Sequence, residues 1–364
     1  MSMRFVHEAL SARILFGSGT RAQLPEEMRR LSIDRAVVLT TPGRAASADM
    51  LADLLDENYA ARFTGACMHT PVDVTEQAVD VVRRVRGDGV VAIGGGSTTG
   101  LAKAIALRTG VPQIILPTTY GGSEVTPTLG ETAEGRKTTQ RTLDVLPETV
   151  IYDVDLTLGL PVPSSVASGL NAIAHAAEAL YAADVSPVVS LMAETGVRAL
   201  TAALPRLVAA PRDPVVRSDA LYGAWLCGTT LGLVGMGLHH KLCHVLGGSF
   251  DLPHAETHSV VLPYALSYNL NAAPAALEGL RRATGWQDPA HGLWDLTLQL
   301  GGPASLQAIG MSEDALDRAA DLAVQNKYPN PRPVTRDGVR ELLLRAWHGE
   351  GPESMPTMAP RRGV

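Results

Sequence analysis

Gly89-Val-Val-Ala-Ile93 runs directly into Gly94-Gly-Gly-Ser97, and Thr99 to Leu107 follows. The first segment is a short apolar, β-branched run of the kind that forms a buried strand, and the last has helical spacing. Between them the glycines let the backbone turn sharply and bring its N–H groups close to a ligand. The N-terminus of the following helix adds the positive end of its dipole, so the turn predicts a phosphate-binding site. The pattern is not the G-x-G-x-x-G dinucleotide fingerprint, which excludes the standard form of that motif.

Ala36-Val-Val-Leu-Thr40 and Gln113-Ile-Ile-Leu-Pro117 read as further buried strands, with Val74 to Arg86 as a helix among them. Strands alternating with helices imply βαβ units and a parallel sheet. A second polar loop, Pro117-Thr-Thr-Tyr-Gly-Gly-Ser-Glu-Val-Thr126, follows the last of these strands. Loops at the carboxyl ends of parallel strands are where an open α/β sheet binds its ligand. The candidate ligand-binding residues are therefore Gly94, Gly95, Gly96, Ser97, Thr118, Thr119, Ser123 and Thr126, with Thr40 at the end of the neighbouring strand.

After Pro161-Val-Pro163 the β signals fade. Ser165 to Ala182, Pro187 to Ala203, Ser218 to Leu231, Leu238 to Leu246 and Ser312 to Val324 are Ala/Leu-rich and helical in period. The expected organisation is an α/β domain over residues 1–160, a helical domain over 161–350, and a disordered tail over 351–364 that includes Arg361-Arg362. The chain has 364 residues, 46% of them apolar and 19% charged, with a net charge of −6. No basic stretch offsets that charge, which argues against a nucleic-acid partner. Three scattered cysteines, Cys67, Cys227 and Cys243, suit a reducing compartment and give no disulfide framework. Cys243 beside His244 reads as a buried, inert thiol rather than a nucleophile. Met1 to Gly19 is interrupted by Arg4, Glu8 and Arg13, unlike a signal peptide, and no apolar run is long enough to span a bilayer. The expectation is a cytoplasmic protein with no membrane partner.

The helical half carries the chemistry. Five of the ten histidines fall between His239 and His258. Residues at i and i+4 share a helix face, so Asn171 pairs with His175 and His240 with His244, while His254 follows a proline in the next loop. Asn171, His175, His240 and His254 have the layout of a metal cage. An asparagine, however, stands where such a cage would use an anionic carboxylate.

Taken together, Gly94-Gly-Gly-Ser97, Thr118 to Thr126 and the Asn/His, His, His spacing resemble the iron-containing (group III) alcohol dehydrogenase superfamily, from Phe16-Gly-Ser-Gly19 to about Gly349. Within it the chain is most similar to the maleylacetate reductases. Gly100 stands where the alcohol dehydrogenases carry Asp, and Asn171 replaces their metal-binding Asp. Glu131-Thr-Ala-Glu-Gly-Arg-Lys137 and Tyr328-Pro-Asn-Pro-Arg-Pro333 also resemble that subfamily. The resemblance implies a Rossmann-like, parallel-sheet nucleotide-binding domain followed by an all-helical domain, the arrangement called dehydroquinate synthase-like. It also implies a site in the cleft between the two, and a homodimer.

The implied reaction is NAD(P)H-dependent reduction of the carbon–carbon double bond of 2-maleylacetate to 3-oxoadipate, in the breakdown of aromatic compounds. Hydride addition to this enone builds negative charge on the ketone oxygen. With Asn171 in the cage, hydrogen bonds from His175, His240, His244 and His254 would replace a metal in stabilising that charge. The expectation is thus no essential metal. His244 is the favoured proton donor, and His239, on a different helical face, would be a neutral control. Lys137 and Tyr328 are further site candidates, Lys137 for both cofactor and substrate carboxylates; Lys241, Lys327 and Arg332 are weaker ones. The strand end Leu39-Thr40-Thr41-Pro42 has neither a carboxylate to repel a 2′-phosphate nor an adjacent arginine, so both NADH and NADPH should bind. A metal-dependent alcohol or polyol dehydrogenase is the nearer alternative, and a non-catalytic or lyase-type protein of the same fold the more distant one.

Overall fold

The computed structural model describes residues 5–134 and 136–353. In chain order the first half holds β1 (Arg13–Gly17), α1 (Leu24–Arg30), β2 (Ala36–Leu39), α2 (Ala45–Leu55), β3 (Tyr59–Phe63), α3 (Val72–Arg84), β4 (Gly89–Gly94), α4 (Gly96–Thr109), β5 (Gln113–Pro117), β6 (Thr128–Ala133), β7 (Arg136–Arg141) and β8 (Thr149–Asp153). Six strands form one sheet in the order β1-β8-β5-β4-β2-β3, every neighbouring pair parallel. Both faces of the central strands are covered, so β2, β4, β5 and β8 are buried at every position, without alternation. The chain leaves β2 toward β3 on one side and then returns to β4 on the other. The turns after β2 and β4 therefore flank the point where strand order reverses, the usual ligand crevice of such sheets.

From Val162 onward all regular structure among the described residues is helical: α5 (Val162–Ala179), α6 (Pro187–Ala209), α7 (Pro214–Leu233), α8 (Leu238–Phe250), α9 (His254–Leu270), α10 (Pro274–Thr284), α11 (Pro289–Gln299), α12 (Ala315–Val324) and α13 (Arg336–His348). The change of secondary structure falls at Pro161. The compact units divide elsewhere. Residues 7–172 and 199–233 form an α/β unit, and residues 173–198 and 234–353, with Phe5 and Val6, form a helical one.

The reason α7 groups with the sheet is close backbone packing. A Cβ on Gly228 of α7 would lie 2.5 Å from the Gly122 Cα, and one on Gly232 would lie 2.8 Å from the Val125 carbonyl. Arg217, fully buried on the same helix, donates to Ser165 Oγ at 2.8 Å, Tyr120 Oη at 3.1 Å and the Leu160 and Pro211 carbonyls at 2.8 Å. In the helical unit, α8, α9, α12 and α13 pack around one core that includes Leu242, Leu246, Val261, Leu316 and Leu343.

Two expectations change here. His254 does not sit in a loop; it opens α9 directly after Pro253. The expected disordered tail falls mainly on residues 354–364, outside the described residues, but its first residues are ordered. The Glu353 carbonyl accepts from Ser267 Oγ at 2.9 Å and the Gly351 carbonyl from Arg345 at 3.2 Å. Among the described residues no single helix is long and apolar enough to cross a membrane.

Candidate functional site

The glycine turn links β4 to α4. Gly94 has φ +152°, in the region that favours glycine, and a Cβ there would meet Thr98 Oγ1 at 2.7 Å. Gly95 has extended backbone, and its Cβ would press on Thr119 at 3.0 Å, so the two polar loops touch at this point. A Cβ on Gly96 would meet nothing within 4 Å. The first turn of α4 thus presents free backbone N–H groups with open space beside Gly96. Ser97 and Thr119 are part-exposed beside it.

The second loop is gripped from within by Lys103 of α4. Its ammonium, 1% exposed, donates to the carbonyls of Ser123, Thr126 and Thr128 and to Thr126 Oγ1 at 2.6–3.0 Å. Burial pulls its pKa down to about 7, against the opposing pull of the buried Glu124 carboxylate. Glu124 accepts from Tyr152 Oη at 2.8 Å. Thr126 and Thr40, both candidates for ligand contact, turn their hydroxyls inward. Thr126 Oγ1 donates to the Ser123 carbonyl at 2.9 Å, and the fully buried Thr40 Oγ1 faces the Arg44 carbonyl at 3.5 Å. Thr118 is buried with its N–H on the Gly94 carbonyl at 2.8 Å. Ser123 is half-buried. Lys137 lies on β7 opposite Thr132.

The helical unit brings the histidines together. His175 on α5, His239 and His240 on α8, and His258 on α9 are all buried, while His244 and His254 are exposed. Ring centroids lie 5.2 Å apart for His175 and His240, 5.0 Å for His240 and His258, 6.2 Å for His240 and His244, and 4.4 Å for His254 and His258. Sequence spacing singled out neither His258 nor Glu178. His258 was signalled by its i, i+4 step from His254, once α9 is known to begin at His254. Glu178 was signalled by its i+3 step from His175 on α5. The Glu178 carboxylate accepts from His240 Nδ1 and from the backbone N–H of His239 at 2.8 Å.

His239 does not face away from the cluster. Its Nε2 lies 3.0 Å from His258 Nδ1 and its ring 5.2 Å from that of His240. Adjacent residues on a helix point about 100° apart; here both directions are occupied by the same group of rings, because α9 packs across the start of α8. It cannot serve as a neutral control.

Burial, reinforced by the neighbouring imidazoles, holds His175 and His258 well below the ordinary histidine range and brings His239 to about 3. Burial raises Glu178, but its interactions with His240 and His239 together keep the carboxyl below its usual value. Tyr328 has a buried hydroxyl without a hydrogen-bond partner; burial and then the Glu178 charge push its pKa up. Arg332 is stacked over the Tyr268 ring at 4.1 Å.

The family resemblance implies iron, and the donor atoms can be tested for it. Nitrogens of His175, His240 and His258 lie within 4.8 Å of one another, and His175 Nδ1, His240 Nε2 and His258 Nε2 have no hydrogen-bond partner. The trio contains two of the expected cage residues, His175 and His240, with His258 as the third nitrogen. The nitrogens converge, but the set is neutral. Asn171, one turn earlier on α5, has a buried amide oxygen that also lacks a hydrogen-bond partner. The carboxylate of Glu178 is already engaged. A ferrous site built on imidazoles wants an anionic oxygen, so these residues do not fit iron as a resident cofactor.

Comparison with known proteins agrees with the architecture. Residues 11–154 match the iron-containing alcohol dehydrogenase model, and residues 165–347 match the C-terminal model of the Fe-containing alcohol dehydrogenase family. The maleylacetate reductase of Rhizobium sp. (strain MTP-10005) is 55% identical over 349 residues, covering 96% of this chain and 99% of that protein. The crystal structure of maleylacetate reductase from Agrobacterium tumefaciens superposes with a TM-score of 0.93 at 54% identity, covering 96% of this chain and 100% of that one. An iron-containing alcohol dehydrogenase from Corynebacterium glutamicum gives a TM-score of 0.92 at 41% identity, covering 96% and 98%. With matches of this identity over nearly its full length, the chain belongs to the iron-containing alcohol dehydrogenase family, among its maleylacetate reductases.

Proposed function

We propose that the chain reduces the carbon–carbon double bond of 2-maleylacetate to 3-oxoadipate with NADH or NADPH, as a cytoplasmic homodimer acting on a small dicarboxylate in the breakdown of aromatic compounds. The observation that carries this reading is 55% identity to a protein named maleylacetate reductase over 96% of the chain. The reduced nicotinamide, when bound, would supply the hydride that bonds to the carbon β to the ketone. The π electrons move onto the ketone oxygen as an enolate, and a proton then bonds to the α carbon. Cofactor, proton and enone become oxidised cofactor and saturated ketone, so the step balances.

The neutral character of the histidine cluster supports a route in which protein donors, not a metal charge, meet the enolate. His175, His240, His244 and His254 are the donors in this reading. His244, exposed to solvent from which it can be reprotonated, is the favoured proton source, and Tyr328 is a second acid beside the cluster. The glycine turn, Gly94 to Ser97, and the loop Thr118 to Thr126 would hold the cofactor, with Lys137 and Thr40 as further candidates. The test is loss of reduced-nicotinamide absorbance on adding maleylacetate in the presence of a chelator. Oxidation with simple aldehydes or ketones but not with maleylacetate would sink the reading. It would favour a metal-dependent alcohol dehydrogenase instead, the reading that the converging nitrogens of His175, His240 and His258 would suit if they bound a metal.

A further inference from the structure

Glu178 is a buried carboxylate on α5, 1% exposed, whose two oxygens meet four donors, Tyr181 Oη among them at 3.5 Å from Oε1. Oε1 accepts the backbone N–H of His239 at 2.8 Å, while Oε2 accepts the backbone N–H of His240 at 3.3 Å and bonds His240 Nδ1. His239 and His240 occupy the first turn of α8, whose N-cap, Gly237, offers no side-chain cap. The orphan N–H groups of a helix start need an acceptor, and an anion there is favoured by the helix dipole. Glu178 supplies it from another helix. A Cβ on Gly237 would stand only 3.3 Å from Glu178 Oε1, so the glycine leaves room for the approach.

The same carboxylate determines what the His240 ring can do. Two of its four partners are backbone N–H groups, which can only donate, and a third is the Tyr181 hydroxyl, so the carboxylate acts as an acceptor and the ring must present its Nδ1 proton to it. Nε2 is then the ring atom left over, and it is buried without a partner among His175 and His258. We propose that Glu178 is a positioning residue: it caps α8 and, by holding a proton on Nδ1, fixes the orientation of His240 so that Nε2, once it too carries a proton, is the atom that donates to the substrate oxygen. This rests on the proposed reduction for its catalytic consequence, though not for its tautomer.

The substitution Glu178→Gln is isosteric. Its one carbonyl oxygen can still serve a backbone N–H, but its amide N–H₂ would face His240 Nδ1 as a donor and force that atom to accept. Removing the partner that orients an active imidazole lowers activity by about tenfold to a hundredfold in comparable carboxylate–histidine pairs. We expect a kcat loss of that size with maleylacetate, an unchanged KM for NADH, and a change of ring tautomer. The tautomer is read by ¹⁵N NMR of histidine-labelled protein, the His240 signals being assigned by their loss in His240→Gln. In the wild type Nδ1 should be of pyrrole type. A pyridine-type Nδ1 there would overturn the proposal by itself, even if Glu178→Gln does not fold. Unchanged kcat in a folded Glu178→Gln protein would overturn it too. Wild-type protein with a pyrrole-type Nδ1 but no activity on maleylacetate would sink the proposed reaction and leave the positioning intact.

Discussion

Lys103 carries a charge into a place from which water is excluded, and it does so to hold three loop carbonyls. Lys103→Met keeps the stem and removes the donors. Buried acceptors left without a partner are destabilising by about 1–3 kcal/mol each, so the variant should unfold at clearly lower urea and show a raised KM for NADH as the loop Thr118 to Thr126 loosens. Linkage gives the pH dependence. The folded-state pKa is depressed from 10.5 to about 7. Below that value both states hold the proton. Between the two values the unfolded chain holds a proton the folded one has lost, so the Lys103 contribution becomes more favourable as pH rises. Urea titrations of wild type and variant should show their stability difference growing from neutral pH toward alkaline pH; a constant difference would mean the lysine keeps its usual pKa. His239→Ala should lower kcat by an amount comparable to His240→Ala, since both rings sit in the cluster; a mild effect at His239 alone would show that its bond to His258 is only structural. At this scale the sequence was least legible. Helical spacing says which residues share a face but not which helix will lie across it, and His239, His258 and Glu178 acquire their neighbours only when α5, α8 and α9 meet.

The turn between β4 and α4 was readable in advance because every part of it is local: a β-branched run, three glycines, and a helical period. The same holds for β2 and β5. The β6–β7 hairpin was not, since Arg136-Lys-Thr-Thr-Gln-Arg141 is polar and its pairing partner is set by the turn rather than by burial. Nor was α9, whose buried residues lie all round the helix, leaving little amphipathic signal. The turn also offers a cleaner test than replacing Gly95. Gly95→Val would collide with Thr119, so any lost affinity would mix cofactor and protein contacts. Gly96→Ala adds a methyl group into open space in the protein and sits at a helical position that favours alanine. If the cofactor phosphates rest on this helix start, Gly96→Ala should raise the dissociation constant for NADH, measured by fluorescence titration, while the melting temperature stays the same or rises. Unchanged affinity would move the phosphates elsewhere.

Over the whole molecule, the division into a parallel-sheet half and a helical half followed from periodicity alone. The compact units did not, because α7 joins the sheet by glycine-to-backbone contacts that no period encodes. The open question at this scale is whether a fold shared with iron-containing alcohol dehydrogenases operates here through donors alone. Asn171 stands where a cage of this sequence layout would carry a carboxylate. Two unit charges in close contact interact by roughly 4 kcal/mol at an effective dielectric near 20, so restoring a carboxylate should raise affinity for a divalent ion by orders of magnitude. Asn171→Asp should also be less stable without metal, because it buries a carboxylate where the amide oxygen already has no partner. Added ferrous or zinc ion should then raise its melting temperature, as any ligand specific to the folded state does, and should leave the wild type nearly unmoved. Chelator-treated wild-type protein should reduce maleylacetate at its full rate. If chelation instead abolished that activity and added metal restored it, the three imidazoles of His175, His240 and His258 would have to be read as ligands that bind without a carboxylate, and the donor-only mechanism would fail.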